Sequence, residues 1–401
     1  MASLWLIFPL EFVAVSFHIV YELGFHRNGI LEVALNLHES LPGFDDLAYL
    51  LKSTNNLTFI TVSLLLAFFT AEKFFELRTG ISHQYLAGIT SLFIYFLLIV
   101  ETASGLDLPQ ITAVASNLLI PILIGLLTGF CYSLLSHQNS PRISTHYWAT
   151  THLIFIFTGI ILLVGALSFA IYQTQLFPSY LYQQAQNIVQ AGNHPNLGSI
   201  LLATFIHNVG HYIGIISTFA ADAGNHFSAE GANLAYLAQH HKLWKIPYPI
   251  NIKSLYDSYG AIGGNGMLLG LVGSILVRVK AQRIRLVAQL TLGQVIFDQN
   301  EALMFGIPIL FNPLLLIPFL LAPFVTMTLG YLAISFHLVP AAAYVIPYAT
   351  PSILRAFLGT NGNYLALTLS LLCCLVSGAI YYPFIRLLDQ ASLQKEGDAH
   401  A

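Results

Sequence analysis

The sequence predicts an all-α polytopic membrane protein of about eight to ten spanning helices, some of them broken into re-entrant hairpins. Three observations carry that expectation. The 401 residues are 56% hydrophobic and 8% charged, with a mean hydropathy of +0.72, whereas a soluble domain carries about 25% charged residues. Apolar runs long enough to cross a hydrocarbon core of roughly 30 Å recur along the chain. The run from 297 to 323, FDQNEALMFGIPILFNPLLLIPFLLAP, is punctuated by Gly306, Pro308, Asn312, Pro313, Pro318 and Pro323. Each proline removes a backbone donor and crowds the preceding turn, and broken helices at membrane depth line cavities. A net charge of -3 and the lack of a long basic block exclude nucleic acid as a partner.

The N-terminal stretch MASLWLIFPLEFVAVSFHIVYELGF lacks the basic start and small-residue cleavage site of a secretory signal, and reads as a retained membrane helix interrupted at Pro9 and Glu11. Residues 29–52, with Glu32, Glu39, Asp45 and Asp46, read as an interfacial helix or loop. Spans are expected at about 57–75, 85–101, 111–136 and 152–175, with the acidic link ETASGLDLP ahead of the third and Arg142 in the loop SHQNSPRIST after it. Residues 176–197 suit a helix lying in the interface. The run 198–220 is long enough to cross but carries His207, Asn208 and His211. The longest polar stretch, 221–258, includes Asp222, His226, His240, His241 and Lys245 and reads as a functional loop.

A glycine-rich segment, YGAIGGNGMLLGLVGSILV (259–277), then leads into a helix, and RVKAQRIR follows with Arg278, Lys280, Arg283 and Arg285. That density of cations puts this loop in the cytoplasm, and Arg386 and Lys395 favour the same side. Apolar runs at about 314–338 and 363–385 flank YVIPYATPSILRAF, where Pro347 and Pro351 forbid a regular helix. Cys131, Cys373 and Cys374 sit in apolar runs and read as small hydrophobes.

The chemistry is read around one acid, Glu301, beside Asn300. A carboxylate at membrane depth must pair, face water or act on a ligand; the plainer alternative is a helix cap at the interface. His207, Asn208, His211, Asn265, Asn300 and Glu301 all recur in apolar surroundings. A polyol needs such donors and acceptors to replace its water. Glu301 or His211 is suited to taking a proton from a hydroxyl, the alternative for His211 being a core histidine bonded to a backbone carbonyl. His207 and His211 are four apart and share a helix face, but with no third ligand and no HExxH pattern no metal site is expected, and no cofactor. Gly263, Gly264 and Gly266 suit either a phosphate-cradling loop or tight helix packing.

The 297–323 run closely resembles the Asn-Glu-Pro signature of enzyme IIC, the sugar-permease subunit of the bacterial phosphoenolpyruvate-dependent phosphotransferase system, in its lactose, cellobiose and diacetylchitobiose branch. NNLTFITVSLLLAFFTAEKF, YLAGITSLFIYFLL, DSYGAIGGNGMLLGLV, YVIPYATPSIL and IYYPFIRLLD agree, so the resemblance spans roughly 55–390. It implies a single multi-pass domain in a bacterial plasma membrane, with N-terminal helices (about 1–175) for homodimer formation and a transport part (about 198–390). It also implies uptake of a sugar such as cellobiose, phosphorylated at its 6-hydroxyl by a phosphocysteine of a separate IIB protein supplied by IIA, HPr and enzyme I. Glu301 matches the family's signature glutamate, and His211 in NVGHYIG its upstream histidine, with His207 as second choice. Asn300 and Gly263, Gly264, Asn265 and Gly266 would line the sugar site, and Tyr348 stands where a tryptophan is common. Ala302 replaces the usual proline, Tyr212 a glycine and Ile206 a frequent tryptophan. A rival reading is a facilitator or regulatory membrane protein that keeps the fold without phosphorylation. A purely structural subunit would leave Asn300, Glu301 and His211 without purpose.

Overall fold

The computed structural model describes residues 2–80, 85–103, 118–138, 195–215, 228–307 and 309–400. The expected span at 152–175, most of the interfacial helix at 176–197, the link at 101–109 beyond its first residues, Arg142, Asp222, His226 and Pro308 lie outside them. Among the described residues every regular element is helical, and the only bridge of β type joins Gly29 to Tyr348. Four helices among the described residues are long and apolar enough to cross a membrane: Leu4–Phe25, Phe44–Thr79, Pro313–Ser335 and Tyr364–Leu393. Shorter apolar helices run over Tyr85–Val100, Leu119–Leu134 and Leu268–Arg278.

Several boundaries differ from those read in the sequence, each for a local reason. Pro9 sits inside a continuous helix, Ala2–Val20, and Glu11 is buried within it. Pro318 and Pro323 likewise lie inside the unbroken Pro313–Ser335 helix. Membrane helices tolerate proline because neighbouring helices and local adjustments accommodate the disturbed backbone groups. The break falls instead before Pro313, at the helix's first position, where a missing N–H costs nothing. The polar stretch 44–52 begins the Phe44–Thr79 helix rather than a separate interfacial element, and the supposed loop at 221–258 contains the Ala229–His240 helix and a π-helical turn, Lys253–Gly260.

The chain divides into two compact units. One comprises residues 1–11, 55–180 and 213–217. Within it Ala67, Ala71, Phe75, Ile94, Tyr95, Ile124 and Tyr132 form a core. The helices approach closely because small residues face each other: a Cβ on Gly125 would lie 2.8 Å from the Ala67 carbonyl and one on Gly129 2.7 Å from that of Ala71, the small-xxx-small device that replaces hydrophobic driving force in lipid. Thr90 Oγ1 and Tyr132 OH (2.8 Å) add a buried polar tie.

The second unit comprises residues 12–54, 181–212 and 218–401. The long Tyr364–His400 helix packs on Leu268–Arg278, Pro313–Ser335 and Ser352–Gly359. Ser274 Oγ donates to Gly378 O (2.8 Å), Ser377 Oγ to Met267 O (3.1 Å) and Tyr381 OH to Gly266 O (2.7 Å), stitching that helix to the glycine-rich loop. At its far end Asp389 Oδ1 accepts the backbone N–H groups of Lys280 (3.0 Å) and Ala281 (2.9 Å), pinning the basic loop.

Candidate functional site

Four segments of the second unit meet around the residues singled out in the sequence. The Leu197–Tyr212 helix buries His207, Asn208, His211 and Tyr212. The loop 261–267 carries Asn265 between glycines in the left-handed region, Gly263 and Gly264 at φ +82° and Gly266 at φ +75°. The turn at 297–300 leads into the short Glu301–Gly306 helix, and Ser352–Gly359 closes the group.

Asn265 is the hub. Its Oδ1 accepts from Tyr256 OH (2.5 Å) and from His207 Nε2 (3.1 Å), which places the imidazole proton on Nε2. Its backbone carbonyl accepts from Asn300 Nδ2 (3.1 Å). Gly264 has no room for a side chain, since a Cβ would lie 2.6 Å from Asn300 Nδ2, and Gly266 is packed on the Phe319 ring. The close contacts at Gly264 and Gly266 are those of tight packing, and the loop amides that could face a phosphate are occupied by a carboxylate of the chain itself. Gly266 serves packing, whereas the N–H groups of Gly263 and Gly264 both donate, at 2.9 Å, to an anion, the Oδ1 of Asp298.

Asp298 and its partners were missed when the run was read around Glu301 alone. Asp298 adopts φ +64° and its other oxygen pairs with Arg355 Nη1. Ser352 Oγ accepts from Gly263 N (3.0 Å) and donates to Ile296 O (3.2 Å). One carboxylate therefore clamps the glycine loop, the Asn300–Glu301 turn and the Ser352–Gly359 helix. The available signal was a second acid three residues before Glu301 and a lone Arg in another apolar run, charges that membrane burial obliges to pair.

His211 lies beside Asn300 and stacks on Phe319 at 6.4 Å with planes 6° apart. Both its ring nitrogens are buried without a hydrogen bond among the described residues, as are the amide atoms of Asn208 and Oε2 of Glu301. The backbone-carbonyl partner considered for His211 is therefore not there. No hydrogen bond or ion pair joins His211 to Glu301 among the described residues. Buried polar groups are nearly always paired, and these three side chains carry buried polar atoms with no hydrogen bond among the described residues, as does Oε1 of Gln294. Tyr212 is turned away from that function: its hydroxyl donates to the Asn312 carbonyl at the start of the Pro313–Ser335 helix. Tyr348 is not brought into the cluster; it is half exposed, its backbone pairs with Asn28 (2.7 Å) and Ile30 (3.1 Å), and its ring packs on His26. Among the described residues no group of three or more metal-ligating side chains forms.

The helices long and apolar enough to cross a bilayer define a multi-pass membrane protein, with a buried cluster of polar side chains in its second unit. Residues 21–323 match the family described as phosphotransferase system, EIIC, and the chain belongs to that family. It is 35% identical over 147 residues to the lichenan permease IIC component of Bacillus subtilis (strain 168), covering 36% of this chain and 32% of that protein. It is 31% identical over 134 residues to the cellobiose-specific EIIC component of Lactococcus lactis subsp. lactis (strain IL1403), covering 33% and 27%. The lactose-specific EIICB component of Lactococcus lactis subsp. lactis is 30% identical over 135 residues, covering 34% and 24%. These alignments span about a third or less of the relatives' own length. The crystal structure of the N,N'-diacetylchitobiose-specific IIC transporter superposes with a TM-score of 0.43 at 20% identity, covering 98% of this chain and 94% of that one.

Proposed function

We propose that this chain is the permease component of a phosphotransferase system and carries a β-linked disaccharide such as cellobiose across the bilayer, coupled to phosphorylation of its 6-hydroxyl. The observation that carries the reading is the set of buried, unpaired polar atoms on Asn208, His211 and Glu301, in a family whose members named above serve lichenan, cellobiose and lactose systems. The sugar's hydroxyls would satisfy those atoms. Asn300, Asn265 and His207 hold the walls in register, and the glycine loop lets backbone and Asn265 approach the ring.

In the transfer step Glu301 takes the proton of the 6-hydroxyl as its oxygen attacks the phosphorus. The P–O bond forms, the P–S bond to a phosphocysteine of IIB breaks, and the thiolate leaves with that partner. The IIC chain positions the acceptor and IIB delivers the phosphoryl group, itself recharged through IIA, HPr and enzyme I. The charged product cannot return through an apolar path. The broken segments around 297–312 are proposed to re-enter the membrane, and the helices of 1–175 to form the homodimer contact around which the transport part, 198–390, moves.

The test is phosphoryl transfer in membrane vesicles holding this chain and its cognate phosphorylated IIB, with a panel of radiolabelled disaccharides. Sugar phosphate from wild type and none from Glu301→Gln is the expected result. Sugar entry without phosphate in both proteins would instead identify a facilitator.

A further inference from the structure

A cleft that shares no residue with the polar cluster opens elsewhere in the second unit, and its chemistry differs. It has a volume of about 560 Å³ and is lined by His241, Lys242, Trp244, Lys245, Tyr344 and Asn361, among others. Every titratable side chain of the lining other than tyrosine is basic, and no carboxylate contributes to it. Lys242 and Lys245 are exposed, and Trp244 presents 52% of its surface.

Its depth in the membrane follows from the helices that border it. Pro340 lies just beyond the end of the Pro313–Ser335 span, and Asn363 immediately precedes the span beginning at Tyr364. The cleft therefore sits at a membrane–water interface. The face is set by the same long helix: Asp389 holds the backbone of Lys280 and Ala281, so the Arg278–Arg285 loop lies near the other end. From 364 to 389 a helix rises about 38 Å, more than the roughly 30 Å hydrocarbon core. The positive-inside rule puts the basic loop in the cytoplasm, so the cleft opens on the outer face, where a cytoplasmic IIB cannot reach it.

We propose that this cleft binds the headgroup of an anionic glycerophospholipid of the outer leaflet. Lys242 and Lys245 lie on the phosphodiester with their methylene stems against the acyl boundary, the Trp244 indole sits at headgroup level as interfacial aromatics do, and Tyr344 and Asn361 offer hydrogen bonds to headgroup hydroxyls. A neutral sugar would be served by the aromatic rings but leaves Lys242 and Lys245 without a counter-charge. The inference stands independently of the transport reading, since it uses none of the residues of the polar cluster.

The chain has three tryptophans, so the variant Trp5→Phe/Trp148→Phe isolates Trp244. Reconstituted in phosphatidylcholine vesicles, its fluorescence should be quenched by brominated phosphatidylglycerol at a far lower fraction than by brominated phosphatidylcholine. Adding Lys242→Gln and Lys245→Gln should weaken that preference about fivefold per lysine removed, while Lys242→Arg/Lys245→Arg keeps it and shows that charge, not fold, is read. Equal quenching by both lipids overturns the proposal. So does relief of quenching by inorganic phosphate, which would assign the cleft to a soluble anion, and so does a fluorescence response to cellobiose without lipid preference, which would make it a sugar surface.

Discussion

Asn208, His211 and Glu301 expose the central tension of this molecule. An unpaired buried amide or ring nitrogen costs about 1–3 kcal/mol, and Asn208 holds both amide atoms that way at 0% exposure. Asn208→Leu, of similar volume, should therefore raise the thermal unfolding temperature of the sugar-free protein while weakening sugar binding; a variant that binds sugar as tightly as wild type would make Asn208 a packing residue. Glu301→Gln keeps the size and one acceptor but cannot take a proton. It should insert normally and lose about two to four orders of magnitude in sugar phosphate formation, the usual contribution of a positioned base. His211→Ala should impair sugar binding or phosphorylation more than His207→Ala, because His207 already spends its Nε2 proton on Asn265 (3.1 Å), whereas the ring of His211 faces only Asn300 of the same cluster. The reverse ranking, measured in the same vesicles, would move the role to His207. These residues were legible in the sequence because polar groups in lipid-soluble runs stand out; Tyr348 was named only for its position in a motif and lies against His26, since a motif position alone does not say which neighbour a ring meets.

At the level of elements, the clamp by Asp298 decides where three loops stand. Arg355→Ala leaves a buried carboxylate held by the Gly263 and Gly264 amides, and removing one partner of a buried pair costs about 3–5 kcal/mol. Arg355→Ala and Asp298→Ala should each lower stability by that order and reduce sugar affinity, and the double variant should cost clearly less than their sum, as expected for a direct pair. Additive losses, read by thermal unfolding in detergent, would show that the two residues act separately. Ala302 stands where the family usually has proline, at the second position of the Glu301–Gly306 helix. The N–H there has no intrahelical acceptor, so Ala302→Pro should leave folding and sugar binding within about twofold of wild type. A large loss would mean that Ala302 N–H serves the site. Neither the clamp nor the continuity of Pro313–Ser335 through Pro318 and Pro323 was visible in the local pattern, because both depend on what a distant segment offers: a guanidinium in one case, a packed helical environment in the other.

The whole molecule is a helical membrane protein with two compact units, one built on small-residue contacts and one carrying the polar cluster. In the first, Gly129→Val would push a side chain into the Ala71 carbonyl; overpacking of that kind costs about 1–3 kcal/mol and should expose the unit to limited proteolysis while leaving the residues around Asn265 untouched. Retained protease resistance would show that the helices can separate without cost. The sequence by itself determined the solvent of this chain: apolar runs dictate lipid burial residue by residue. It also marked the signature residues Asn300 and Glu301 and the upstream histidines. Tertiary structure alone decided that Asn265 joins His207 to Asn300, that Asp298 is the anion in the glycine loop, and that Arg355 pairs with it. The physical reason is range. Transfer between water and lipid depends on each residue's own composition, whereas a hydrogen bond or ion pair exists only once folding has brought together groups that the chain keeps far apart.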